Sequence, residues 1–118
     1  MWIGLALTSV LLLGACGSSS TTNAGATKVT GTSLTLTMTD FSFSPATIQA
    51  KAGATLAVKL VNKGSAEHNF TVKALKIDKN VEPGHTATVQ VKVPASSTPF
   101  YCEYHKSRGM TGNLTITQ

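Results

Sequence analysis

The chain has 118 residues, with ten Lys and Arg against five Asp and Glu and a formal net charge of +5 at pH 7. That length makes one domain the default, and the positive balance favours acidic partners or anionic surfaces without selecting one. Nucleic acid is excluded as the partner: the basic residues are scattered, no recognition helix is apparent, and the chain opens like an exported protein.

Residues 1–15 read as a signal peptide. Trp2-Ile3-Gly4-Leu5-Ala6-Leu7 and Val10-Leu11-Leu12-Leu13 are apolar, too short to span a bilayer as a lasting helix, and run into the small residues of Leu13-Gly14-Ala15-Cys16, as a signal core runs into its cleavage site. No Lys or Arg precedes that core, a departure from the usual positive start. Leu-Gly-Ala-Cys resembles the lipobox of bacterial lipoproteins, which implies that Cys16 receives a diacylglyceryl anchor and becomes the mature N-terminus. The competing reading is a disulfide between Cys16 and Cys102. It would require a flexible tail to reach a buried loop and to consume the best ligand in the chain. Residues 17–32 are mostly Ser, Thr, Gly and Ala. They bury too little to offset the cost of ordering and read as a flexible tether.

From residue 33 to residue 118 the period changes to two. Leu34, Leu36 and Met38 alternate with Thr35, Thr37 and Thr39. Leu56, Val58 and Leu60 alternate with polar or small neighbours, and so do Val89, Val91 and Val93. Each run predicts a strand with one face on a core. Pro45, Gly53, Asn62-Lys63-Gly64-Ser65, Pro83-Gly84, Pro94-Ala95-Ser96-Ser97 and Gly109 punctuate the runs. Short strands with turn signals at regular spacing predict an all-β fold, a small antiparallel sandwich. Phe41, Phe43, Phe70 and Phe100 are expected in its core.

The chemistry lies in two places. His68 stands in Ala66-Glu67-His68-Asn69-Phe70, beside a predicted strand. Near the end, Tyr101-Cys102-Glu103-Tyr104-His105-Lys106-Ser107-Arg108-Gly109-Met110 sets a thiol, an imidazole and a thioether at the spacing Cys-x2-His-x4-Met. Each of these residues alone is more often packing or surface than ligand. Together they offer two imidazoles and a thiolate for a trigonal plane and a thioether for its axis, the ligand set of a blue-copper centre. The expected metal ligands are His68, Cys102, His105 and Met110, and the expected cofactor is one copper ion cycling between Cu+ and Cu2+. His85 follows a Pro83-Gly84 turn, where surface residues are expected, and is assigned no ligand role.

Three stretches carry a resemblance to a family: Phe41-Ser42-Phe43-Ser44-Pro45 leading to Lys51-Ala52-Gly53, Glu67-His68-Asn69-Phe70, and Tyr101-Cys102 through Gly109-Met110-Thr111-Gly112. From Leu34 onward the chain resembles the cupredoxins of the plastocyanin and pseudoazurin type. The resemblance implies a Greek-key sandwich and single-electron shuttling between redox partners at the outer face of a bacterial membrane, facing the periplasm or the cell exterior. It implies that Asn69, directly after the first His, ties the two ligand loops together. It also makes His105 the electron port, with Lys106 and Arg108 beside it as docking residues. The expected partner is a redox protein such as a c-type cytochrome or membrane oxidoreductase, acidic where it meets this rim.

Two other classes of function fit the residues less well. Copper trafficking draws on the same ligand types, but Met38 and Met110 are the only methionines besides Met1, short of the Met-rich or His-rich tracts usual for delivery proteins. An enzyme is not expected. A multicopper oxidase needs further His pairs, a binuclear copper domain needs a second Cys in the ligand loop, and a Met ligand matches structural zinc poorly.

Overall fold

The computed structural model describes residues 26–117. Ten strands follow one another: β1 (Ala26–Lys28), β2 (Ser33–Thr39), β3 (Ser42–Ser44), β4 (Thr47–Lys51), β5 (Thr55–Asn62), β6 (His68–Val72), β7 (Ile77–Val81), β8 (Thr86–Lys92), β9 (Thr98–Tyr101) and β10 (Thr111–Thr117). Short 3-10 turns occupy Lys73–Leu75 and Lys106–Arg108. One sheet runs β1-β4-β10-β9-β6-β7 and the other β3-β2-β5-β8. The alternating runs become the inner faces of these sheets, because period-two sequences place every second side chain on one side. Leu36 and Met38 from β2, with Leu56, Val58 and Leu60 from β5, face Ile48, Phe70, Val72, Phe100 and Leu114 across the core.

Three of the four phenylalanines join that core. Phe43 and Phe70 meet Phe100 at ring separations of 5.1 and 5.3 Å. Phe41 does not: it is half-buried at the rim, where the turn between β2 and β3 breaks the alternation that would have aligned it with Phe43.

The expected sandwich is present, but its sheets are mixed rather than wholly antiparallel. β2 pairs β5 in parallel, and β4 lies parallel to both β1 and β10. Alternation specifies which face a residue takes and is silent on strand direction. Direction follows from connections, and here the chain repeatedly crosses between sheets, so in-sheet neighbours such as β2 and β5 are not joined by a hairpin. β1 is a second difference, since it lies in the stretch read as tether. Ala26, Thr27 and Lys28 pair with Thr47, Ile48 and Gln49, and the Val29 N–H donates to the Gln49 carbonyl at 2.8 Å. Backbone pairing of this kind needs little from side chains, which is why composition did not disclose it. The signal-peptide reading lies outside the described residues.

Candidate metal centre

Three connections meet at one end of the sandwich: the β2–β3 turn, the β5–β6 loop and the β9–β10 loop. His68 is the first residue of β6, placed by antiparallel pairing with Val81. Thr71 of the same strand pairs with Tyr101, which sets the end of β9, and therefore Cys102, beside His68. The β9–β10 loop then winds back on itself. His105 N–H donates to the Cys102 carbonyl, Arg108 N–H to His105, and Met110 N–H again to His105. Gly109, at φ 85°, takes the left-handed turn that ends the 3-10 segment, a conformation that favours glycine. Cys102 N–H donates to the Met110 carbonyl at 3.1 Å, closing the loop.

The outcome is a convergence of donors. Cys102 Sγ lies 3.5 Å from His105 Nδ1 and 4.0 Å from His68 Nδ1, and the two Nδ1 atoms are 3.1 Å apart. His68, Cys102 and Met110 are fully buried, while His105 is partly exposed. Among the described residues Cys102 has no disulfide partner.

Asn69 sits between the two ligand-bearing segments. Its backbone N–H donates to Cys102 Sγ at 3.3 Å, its Oδ1 accepts from Glu103 N–H at 2.7 Å, and its Nδ2 donates to Asp78 Oδ1 at 3.0 Å. One buried side chain thus bridges the strand that carries the first imidazole and the loop that carries the thiol.

His85 stays apart from these donors. It is exposed, with Nδ1 3.2 Å from the Pro83 carbonyl, and is not in the donor cluster. His85→Ala is expected to leave metal content and absorption spectrum unchanged, and a lost or shifted band in that variant would show that a ligand had been misassigned.

Two groups lie against the imidazoles that the sequence did not place there: Asp40 was not singled out, and Phe41 was expected in the core. Asp40 Oδ1 lies 2.8 Å from His68 Nε2, and the Phe41 ring is 4.5 Å from that of His105 and edge-on to His68 at 6.2 Å. Asp40 sits in a turn far from either ligand motif in sequence, and no spacing rule points to it. The docking candidates lie around this rim. Arg108 stacks its guanidinium 4.7 Å from the Phe41 ring centroid, and Lys106 holds its ammonium 4.6 Å from that of Tyr101, as cations do over aromatic faces. Tyr104, half exposed, is the exposed large hydrophobic residue among those described.

The electrostatics favour ligand-ready forms. The Ser65 backbone N–H, helped by His68 and Ala66 and opposed by partial burial, holds the Asp40 carboxyl below its ordinary value. An ionised carboxylate only accepts hydrogen bonds, so in this contact His68 Nε2–H is the donor. Burial first, and then the His68 and Arg108 charges, holds the His105 imidazole below the usual histidine value. The unfolded chain takes up that proton near pH 6.5 and the folded one resists it. Between the depressed folded value and 6.5 the unfolded state therefore binds more protons, and stability rises with pH before levelling off above 6.5. The metal-free protein is expected to melt at a lower temperature at about pH 5 than at about pH 7.5, and His105→Gln to shrink the difference. A flat profile in the parent protein would contradict this.

A family model for the cupredoxin-like domain matches residues 6–116. The chain belongs to the cupredoxin-like family. The cupredoxin fold is shared with dithionite-reduced auracyanin from the photosynthetic bacterium Roseiflexus castenholzii (TM-score 0.63, 17% identity, 75% of this chain and 98% of that one). It is shared also with oxidised plastocyanin from Dryopteris crassirhizoma (TM-score 0.54, 25% identity, 71% and 100%). The Cu(I)-bound metal-binding domain of a Cu(I)-exporting P-type ATPase from Streptococcus pneumoniae is a third neighbour (TM-score 0.64, 11% identity, 79% and 96%).

In this cupredoxin His68, Cys102, His105 and Met110 are arranged as a site for one copper ion. The donor chemistry fits, since thiolate and thioether suit cuprous copper while imidazole accommodates both oxidation states. Cys16, the expected lipid-anchored residue, lies outside the described residues. Among those described, no helix is long and apolar enough to cross a membrane.

Proposed function

We propose that this cupredoxin is a mononuclear type 1 (blue) copper protein that passes single electrons between redox partners at the outer face of a bacterial membrane, tethered there through Cys16. One observation carries the proposal: a buried thiol and two imidazoles converge within 4.8 Å of one another, His68 from β6 and the others from the β9–β10 loop that also contributes buried Met110. Bound copper supplies a one-electron couple between Cu+ and Cu2+. The protein's part is to hold the donors. A sandwich fixes loops at its strand ends better than a free loop fixes itself, so the ligands need not rearrange much between oxidation states. Burial of His68, Cys102 and Met110 excludes water, and His105, being partly exposed, provides the route to the surface.

Cupric copper added to the purified protein is expected to give an intense blue absorption that bleaches with ascorbate and returns on reoxidation, with the metal retained throughout. A colourless complex would overturn the electron-transfer reading. Trafficking is the second reading, favoured by the fold shared with a Cu(I)-bound exporter domain. Loss of copper on reduction would select it.

Lys106 and Arg108 flank His105, so the expected partner presents acidic groups. Association is then steered by charge and weakens as salt rises. Electron-transfer rates with an acidic c-type cytochrome are expected to fall as ionic strength increases, and to fall also at low salt in the Lys106→Glu, Arg108→Glu double variant. Rates indifferent to both changes would remove the charged-rim reading and leave copper binding untouched.

A further inference from the structure

The Asp40 carboxylate is held in place independently of the imidazole it touches. Oδ2 accepts from Ser65 N–H at 2.8 Å and Oδ1 from Ala66 N–H at 3.3 Å, so the β5–β6 loop grips the side chain. The loop is itself built around buried Asn62, whose Nδ2 donates to the Ala66 and Val81 carbonyls at 2.8 Å each and whose Oδ1 accepts from Gly64 N–H. Gly64 completes the platform. A Cβ there would collide with Asp40 Oδ1 and lie 2.8 Å from His68 Nε2, so only glycine lets the carboxylate and the imidazole meet at this spot. The third contact, Oδ1 to His68 Nε2 at 2.8 Å, is made by a side chain that is 28% exposed to an imidazole that is fully buried.

Taking the type 1 copper reading as its basis, we propose that Asp40 is a positioning residue for the centre. It fixes the His68 ring and tautomer through Nε2–H, and it lowers the reduction potential by placing a carboxylate one imidazole away from the metal. A carboxylate that accepts the distal N–H of a ligating imidazole makes the ring more basic and orients it. A more basic ligand and a nearby negative charge both favour the doubly charged cupric ion over the cuprous one. The arrangement is specific to this turn: Asp40 and Phe41 are consecutive, one bonded to His68 and the other packed against both imidazoles.

The test is Asp40→Asn, which keeps the shape and an accepting oxygen but removes the charge. With the blue band retained, the ratio of cupric to cuprous affinity is expected to fall about tenfold, which for a one-electron couple raises the potential by about 59 mV. Asp40→Ala, which also removes the hydrogen bond, is expected to lower cupric affinity by about 10- to 100-fold. An independent readout is nitrogen NMR of the metal-free parent protein, in which His68 is expected to be protonated at Nε2. A blue parent protein with an unchanged potential in Asp40→Asn, or a His68 protonated at Nδ1 in the metal-free parent, would overturn this proposal alone. A colourless parent protein would overturn it together with the copper reading on which it rests.

Discussion

Cys102→Ser is expected to abolish the blue absorption and to weaken cuprous copper binding by more than about 100-fold, a loss larger than the 10- to 100-fold typical of residues that merely support a ligand. Cys102 would supply the thiolate, the strongest donor of the set toward cuprous copper. A serine hydroxyl stays protonated at neutral pH and is a hard, weak substitute. The fold should tolerate the change, because Ser Oγ still accepts the Asn69 N–H that now reaches Sγ at 3.3 Å and is close to sulfur in shape. Stability of the metal-free variant should therefore stay within about 1 kcal/mol of the parent, the scale of one exchanged hydrogen bond. Copper titration with a cuprous chelator as competitor, run beside a denaturant melt, separates the two effects. A variant that stayed blue would show that the colour arises elsewhere.

Asn69→Ala is expected to damage both fold and centre. Its Oδ1 is the acceptor for Glu103 N–H, directly after the ligand cysteine, and its Nδ2 reaches Asp78. Asp78 is exposed and finds water instead. The Glu103 N–H is partly buried, and a donor stranded in that way costs about 1–3 kcal/mol, to which the small cavity adds. A loss of roughly 2–3 kcal/mol in the metal-free protein is therefore expected, read from urea midpoints at unchanged slope. The looser loop should also broaden the copper spectrum, because the thiol would no longer be held by a strand that shares its anchor. Wild-type stability with a wild-type spectrum would show that Asn69 fills a turn and ties nothing.

The ligand set is legible in the sequence because Cys102, His105 and Met110 fall within one loop whose spacing allows a single turn to gather them. β2, β5 and β8 were legible for a related reason: each has a buried and an open face, which imposes a period of two on the chain. β6 resisted the same reading. All five of its residues, His68-Asn69-Phe70-Thr71-Val72, are buried, so polarity does not alternate, and the polar ones are satisfied by partners such as Asp78 and Glu103 that only the fold supplies. Asp40 was invisible on similar grounds. An aspartate in a turn is ordinary chemistry for a loop, and what distinguishes this one is a contact across 28 positions of sequence. Parallel pairing was hidden because face and direction are separate properties of a strand.

β10 enters the middle of its sheet, between β4 and β9, and Met110 stands immediately before it. The pairing of β10 with β9 is local, but its pairing with β4 joins residues far apart in the chain, such as Asn113 and Thr47, and must meet the entropy of closing a long loop. The β6–β9 pairing already sets Cys102 beside His68, but until β10 docks the Cys102–Met110 closure does not exist and the thioether is not held beside the thiol. Completion of the donor set is thereby tied to the seating of β10, the last of the described strands.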